Sequence, residues 1–394
     1  MMRLPSLSVS GRGAARLREG QPWVRREDVT RAPTFDKPLD DCVRVVDGKD
    51  RLLGSALWSK TSPIAARLYS REERFLDEEL LAERIVTANE RRRALLPGFD
   101  AYRVVHAEAD LLPGVFIDRY ADVAVVQSMC AGLDAREAQV ARVLVDTLGV
   151  RLVVARDDGA ARDFEELPRR KGILFGEGST TVAFHDAGSP CEADVLEDGK
   201  TGSFLDQQEN HARVASYVTG RDVKALDAFT YHGGFALALA GAGAEVLALD
   251  ESSAAVARAR ANAARSQRPI TVETRNAFDA LRELESEGRR FDVVVIDPPA
   301  LAKRRSALPA AERGYKELNL RAFRLAKPGG LVVSCSCSGR LSVEKFGAIV
   351  ADAARDAGRA VQLLERRGAG RDHPPLLQLP ETEYLKCWIL RVME

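Results

Sequence analysis

From residue 224 onward, apolar and polar positions alternate between two periods. Short apolar or β-branched runs at Lys224–Ala228, Glu245–Asp250, Ile270–Thr274, Phe291–Ile296 and Gly330–Ser336 have the length and make-up of strands. Between them, Phe235–Ala240, Ala254–Ala264, Ala277–Glu287 and Ala310–Leu325 repeat their apolar positions at helical spacing. A helix (Val343–Gly358), a strand (Ala360–Glu365), a loop and a last strand (Glu383–Val392) complete the series. This alternation predicts an α/β fold with a seven-stranded, doubly wound, Rossmann-like sheet. The last strand follows another strand without a helix, so it is expected to run antiparallel at the sheet edge.

The first part of the chain has a different pattern. Cys42–Val46 and Arg51–Trp58 flank the turn Asp47-Gly48-Lys49-Asp50 and predict a hairpin within a small β-rich module, residues 1–75. Residues 76–190 mix both periods. Glu72–Arg93 is helical, with Phe75, Leu80, Leu81, Ile85 and Val86 on its apolar positions. Strands follow at Tyr102–Ala107, Gly114–Ile117, Val123–Ser128 and Leu152–Ala155, with a helix at Arg136–Thr147. Ala187–Lys200 reads as a connector, and residues 191–394 form the third expected domain. A length of 394 residues agrees with several domains.

Charge changes the picture in one respect. The 58 basic and 58 acidic side chains cancel, which excludes a chain-wide basic surface. Yet residues 1–75 carry +5 and the remainder −5, so any nucleic-acid contact must come from a local patch. The basic residues are 47 Arg and 11 Lys; Arg suits phosphate recognition, but the accompanying Ala and Gly favour a GC-rich genome as the reason. The first twenty residues lack the apolar core of a secretory signal. The longest apolar stretch, Gly233–Ala244, is too short to span a bilayer. Six scattered cysteines without a CxxC pair suggest no zinc site and no disulfide framework. The expectation is a cytoplasmic protein with no metal and no membrane partner.

In such a sheet, ligands bind at the carboxyl ends of the strands. The first strand ends in Asp227, followed by Phe229 and the pair Gly233-Gly234, whose backbone can approach a ligand closely. Asp227 can accept from an ammonium group. The second strand ends at Asp250, 23 residues on, where an acid can hold ribose hydroxyls. The third ends near Asn276, whose amide can pair with an adenine edge or cap the next helix. The fourth, FDVVVI, runs into Asp297-Pro298-Pro299, which holds a carboxylate rigidly at the ligand edge. The fifth ends in Ser334-Cys335-Ser336-Cys337-Ser338-Gly339, placing thiols across from Asp297 as candidate nucleophiles. Cys335 and Cys337 share a face if the strand continues. An antiparallel final hairpin favours the S-adenosylmethionine-dependent methyltransferase variant of the fold over a plain dinucleotide fold.

The strings DAFTYHGGF, DPPALAK, GYKELNL, SCSCSG, DGKTGSFLDQQENH, EADLLPGVFIDRYAD and DHPPLLQLPETEYLK occur in an order that resembles the ribosomal RNA large-subunit methyltransferase I family. REGQPWVRREDV and GSALWSKTSPIAARLYS resemble its N-terminal PUA domain, an RNA-binding β-barrel. The resemblance covers nearly the whole chain. It implies that 5-methylcytosine is made in 23S rRNA, or a large-subunit precursor, with S-adenosyl-L-methionine as cofactor. By position, Cys337 matches the nucleophile better than Cys335, and Asp297 matches the residue facing the base. Asp227 and Gly233 would face the methionine end, Asp250 the ribose and Asn276 the adenine, with Phe229 and Gly234 also among the cofactor-binding residues. Lys200, Thr201, Phe204, Asp206 and Gln207 match a motif bordering the pocket, although Asp206 and Gln207 fit a helix cap equally well. His232, Gln208, His211 and Asn276 depart from the commoner Thr, Arg, Arg and Asp. Pro298 and Pro299 stand where many cytosine-5 RNA methyltransferases carry a cysteine, so the base that removes the C5 proton is unassigned.

RNA contact is expected from Arg12, Arg16, Arg18, Arg25 and Arg26, and from Lys303, Arg304 and Arg305 after the DPP loop. Trp23 reads as a core residue. A methyltransferase acting on another base, such as guanine, and a non-catalytic RNA-binding assembly factor are the competing readings; a nicotinamide dehydrogenase is disfavoured, because Gly-Gly stands in place of the usual phosphate loop. Monomer and homodimer are both compatible with the sequence.

Overall fold

A computed structural model describes residues 3–35, 41–302 and 305–393. They form two compact units. The first contains the described residues of Met1–Val182, Asp194–Gly202 and Asp372–Pro380; the second contains Ala183–Ala193, Ser203–Arg371 and the described part of Glu381–Glu394.

The first unit opens with β1 (Ser6–Val9), α1 (Gly11–Arg18), β2 (Trp23–Arg25), β3 (Val29–Arg31), β4 (Cys42–Val46), β5 (Leu52–Trp58) and β6 (Ile64–Ser70). Their six strands make one sheet in the order β2-β6-β5-β4-β1-β3. The expected hairpin is present, with Val43 opposite Ala56 and Arg44 opposite Ser55. Helix α1 was not expected, because its sequence, GRGAARLR, reads as turn-rich. It forms because Ser10 caps it, accepting from Gly13 N at 3.1 Å, and because Ala14 and Leu17 are buried.

The same unit continues with α2 (Glu78–Leu95), β7 (Ala101–His106), β8 (Val115–Tyr120), β9 (Val123–Ser128), α3 (Ala131–Asp134), α4 (Glu137–Leu148), β10 (Leu152–Asp157) and β11 (Arg170–Phe175). The five strands order as β11-β10-β9-β8-β7. Helix α2 starts later than its apolar pattern suggests, because Asp77 caps it by accepting from Leu80 N at 2.9 Å.

Strands β12 (Thr181–Asp186) and β13 (Ser189–Asp194) form a two-stranded sheet, and β13 falls where the sequence reads as a connector. Pro190 and the polar make-up of SPCEAD hide that strand. The second unit then runs α5 (Gln208–Ala215), β14 (Lys224–Ala228), α6 (Gly234–Gly241), β15 (Glu245–Asp250), α7 (Ser253–Ser266), β16 (Ile270–Thr274), α8 (Ala277–Ser286), β17 (Phe291–Ile296), α9 (Leu308–Leu325), β18 (Ala326–Ser336), α10 (Val343–Asp356), β19 (Val361–Arg367) and β20 (Lys386–Val392). Its sheet has seven strands in the order β16-β15-β14-β17-β18-β20-β19.

One expectation is corrected. Strand β20 is antiparallel, but it inserts between β18 and β19, and β19 takes the edge. The buried sequence CWIL of β20 suits an interior place, whereas β19 (VQLLERR) is only partly covered.

Alternate residues of the central strands feed two cores. Leu226, Ala228, Val294, Ile296 and Val332 pack with α8, α9 and α10, while Ala225, Val293, Val295 and Val333 pack with α6 and α7. Strands buried on both faces leave only their ends for chemistry. The reversal of strand order falls between β14 and β17, so Asp227 and Asp297 come to neighbouring strand ends.

Candidate active site

Asp227 is 1% exposed at the end of β14. Its Oδ2 accepts from Thr230 Oγ1 at 2.6 Å and from Ala236 N at 3.1 Å, a first-turn amide of α6. Its Oδ1 is buried and has no hydrogen-bond partner among the described residues. Burial pushes this carboxyl up to about 6, opposed by Thr230, His211 and Ala236. A buried carboxylate oxygen left without a donor is an acceptor waiting for a ligand cation.

The turn after β14 is strained. Phe229 and Tyr231 both lie in the left-handed region, with φ of 69° and 49°, at a cost on the order of 1 kcal/mol each. Gly233 has φ of 93°. At Gly234 a Cβ would come within 2.2 Å of the His211 ring. His211 fills that space from α5, with its ring centroid 4.4 Å from that of Phe235 and its Nδ1 2.7 Å from Asp186 Oδ1. Burial opposes a charge on His211, but Asp186, with help from Asp297 and Asp227, outweighs it and raises the imidazole above its ordinary value. His232 stacks on Tyr231 at 3.7 Å, and Tyr231 meets Phe204 edge-on at 4.9 Å.

Asp250 ends β15. Its oxygens accept from Tyr231 N at 3.0 Å and Ser252 N at 2.9 Å, tying two strand-end loops together. Each oxygen keeps a second lone pair for a hydroxyl. Asn276 caps α8, accepting from Phe278 N at 3.0 Å and Asp279 N at 3.4 Å, and its Nδ2 donates to Glu251 at 2.9 Å. Phe229 is half-buried and edge-on to Phe278 at 6.2 Å.

Asp297, at the end of β17, is also half-buried. Gln207 Nε2 donates to its Oδ2 at 2.9 Å. Asn210 Nδ2 donates to Gln207 Oε1 at 2.6 Å, and Arg367 Nε donates to Asn210 Oδ1 at 2.7 Å. This chain fixes which end of the Gln207 amide faces Asp297. Asp206 accepts from Tyr384 Oη at 2.5 Å. Neither Asp206 nor Gln207 caps α5 with its side chain. Burial, and then the nearby charge of Asp206, push the Asp297 carboxyl up to about 7.

Strand β18 ends at Ser336, so the two thiols part company. Cys335 is buried opposite Cys387 in the β18–β20 register, and burial with that neighbour drives its thiol up. Cys337 lies just beyond the strand, with Sγ 4.0 Å from the Pro298 carbonyl oxygen. All six cysteines are described, and Cys337 is the one that is not buried. Sequence reading gave no site role to Lys386, Tyr384, Asp186 or His211, although three of them lie within the motif strings quoted above; no spacing pattern marks them, because their partners are distant in sequence.

In the first unit, the N-terminal arginines are largely engaged. Arg12 and Arg16 pair with buried Asp28 at 2.9 and 2.8 Å, and Arg18 pairs with Asp47. Arg26 donates to the Ser59 and Ser62 carbonyls and lies 4.8 Å over the Trp58 ring, while Arg25 is exposed. Trp23 is half-buried rather than core, because its Nε1 donates to Glu108 at 2.8 Å. Thr201 donates to Asp118 at 2.6 Å. Lys303 and Arg304 lie outside the described residues.

S-adenosylmethionine carries an ammonium, a sulfonium, ribose hydroxyls and an adenine, and the donor set fits it. The orphaned Asp227 oxygen suits a cation, Asp250 has spare acceptor capacity, and the Gly233–Gly234 turn brings backbone close. Residues 169–379 match the family model of S-adenosylmethionine-dependent methyltransferases, and residues 7–71 match that of a PUA-like domain. The chain is 38% identical over 380 residues to the ribosomal RNA large subunit methyltransferase I of Shewanella amazonensis, covering 94% of this chain and 95% of the relative. It is 35% identical to the Vibrio cholerae protein of that name, covering 98% of each. Among solved structures, an S-adenosylmethionine-dependent methyltransferase from Streptococcus mutans superposes with a TM-score of 0.81 at 17% identity, over 99% of this chain and 100% of that one, which shows the fold. With relatives aligned over nearly the whole length and the methyltransferase family model matched over more than half of it, the chain belongs to the ribosomal RNA large subunit methyltransferase I family of S-adenosylmethionine-dependent enzymes.

Proposed function

We propose that this enzyme methylates C5 of a cytosine in 23S rRNA, in the cytoplasm, through a covalent bond between Cys337 and C6 of the base. The observation that carries this reading is the position of Cys337: an accessible thiol on the loop after β18, beside the Asp297-Pro298 turn.

Asp227 holds the ammonium of the cofactor, Asp250 its ribose, and Phe229 and Asn276 border the adenine. When bound, the cofactor supplies an electrophilic methyl group. Cytosine C5 is a poor nucleophile until C6 is attacked. The Cys337 thiolate forms the Sγ–C6 bond, and the C5–C6 π electrons shift into the ring. Asp297, protonated near neutral pH, donates to N3 and so balances the charge that the attack creates. C5 is then an enamine carbon able to take a methyl group. Loss of the C5 proton to a base restores the C5–C6 double bond and expels the thiolate, and the N3 proton returns to Asp297. Gln207, held by Asn210 and Arg367, keeps Asp297 in place.

Nucleoside analysis of 23S rRNA incubated with the enzyme and labelled cofactor tests the reading. Label in 5-methylcytidine, abolished by Cys337→Ala, is expected. Label in a methylated guanosine, or activity surviving Cys337→Ala, overturns it. Asp297→Asn is expected to slow the reaction by about 10²–10⁴-fold.

A further inference from the structure

Lys386 is 3% exposed at the first position of β20, opposite Ser336 in the sheet register. Its Nζ donates to three backbone carbonyls: Ser338 at 2.8 Å, Leu341 at 2.9 Å and Tyr384 at 2.9 Å. Two of these oxygens belong to the loop that follows Cys337. No carboxylate among the described residues forms an ion pair with this ammonium. Buried charges are normally paired, since desolvation without a counter-charge is costly. The three carbonyls satisfy the donors of Lys386 but carry no full negative charge. Two groups favour the ammonium, the Cys337 sulfur first and Glu383 second, and Lys386 sits between the neighbours of Cys337, opposite Ser336 in register and bonded to the Ser338 carbonyl.

Resting on the assignment of Cys337 as nucleophile, we propose that Lys386 is the positioning residue that pins the nucleophile loop and supplies the positive charge that stabilises the Cys337 thiolate. The thiol proton leaves to solvent, and Lys386 stays an ammonium throughout. The other titratable or charged groups facing this corner are Glu383 on the approach to β20, Tyr315 from α9 and Asp297 at the end of β17. Tyr315 Oη bonds the Ser336 and Ser338 hydroxyls at 2.9 and 3.0 Å, so it holds the same loop without a charge. Burial pulls Lys386 down to about 8, partly offset by Cys337 and Glu383, which leaves it cationic at neutral pH.

The test is the pH dependence of iodoacetamide alkylation at Cys337 in the full-length protein, read by peptide mass. It needs neither RNA nor cofactor. The wild-type midpoint is expected below the ordinary thiol value of about 8.5. Lys386→Met should raise it by about one unit, slowing alkylation at pH 7 about tenfold, whereas Tyr315→Phe should leave it in place. A wild-type midpoint at or above the ordinary value overturns the proposal even if Lys386→Met does not fold. So does an unchanged midpoint in Lys386→Met, or equal shifts in both variants. Failure of the nucleophile assignment itself would show separately, as 5-methylcytidine formed by Cys337→Ala.

Discussion

Asp227, buried, and Asp297, half-buried, end neighbouring strands of the same sheet yet are given different work by their neighbours. Asp227 has one oxygen satisfied and one orphaned, which suits a cation; Asp297 has one oxygen held by Gln207 and the nearby charge of Asp206, which suits a proton. Since only ionised Asp227 attracts an ammonium, cofactor affinity should weaken as pH falls through about 6, and Asp227→Asn should bind weakly at every pH; calorimetric titration reads both. A second buried group makes stability depend on pH. Asp134, Glu137 and Asp157 bring ligand atoms within 4.8 Å of one another, but Arg170 and Arg162 already supply cations there. Burial, and then Asp157, push Glu137 up to about 8. The native state therefore binds a proton that the unfolded state has released, so stability falls as pH rises from about 4.5 to 8. Glu137→Gln should flatten that fall in a series of thermal melts. Asp227, Asp250 and Asp297 were legible in the sequence because each ends an apolar run. Glu137, His211 and Lys386 were not, because their roles depend on partners distant in sequence.

Seven strands of the catalytic sheet were legible as elements, the first five because each is a short apolar run between helical repeats and the last two as β-rich runs after the final helix. The place of β20 was not, since apolar pattern reports burial and not which neighbours a strand takes. Strand β13 and helix α1 were missed for the same reason in reverse: Pro190 and the glycines of GRGAARLR mask elements that capping and tertiary packing enforce. The strand-to-helix turn at β14 shows how local geometry serves the site. Gly234→Ala should drive a methyl into the His211 ring and destabilise the fold by about 1–3 kcal/mol, with cofactor binding lost in proportion; a melt and a titration on the same sample check this. Asn276→Ala removes the cap of α8 and should cost about 1 kcal/mol in denaturant unfolding.

Across the whole molecule the zero net charge conceals a division. The +5 block of residues 1–75 is partly spent on internal pairs such as Arg16–Asp28, and Arg25 is exposed on the same unit. Affinity for 23S rRNA should fall steeply with salt, and Arg25→Glu should weaken it; filter binding across a salt series reads both. Which of the arginines pair with buried carboxylates was not legible in the sequence, because ion pairing is set by the fold. The central claim is the covalent step at Cys337. Incubating the enzyme and its cofactor with 5-fluorocytidine-substituted 23S rRNA, followed by peptide mapping of the product, tests it most directly. A stable one-to-one adduct carried by Cys337 and absent from Cys337→Ala is predicted; no adduct, or one on another residue, would contradict the account.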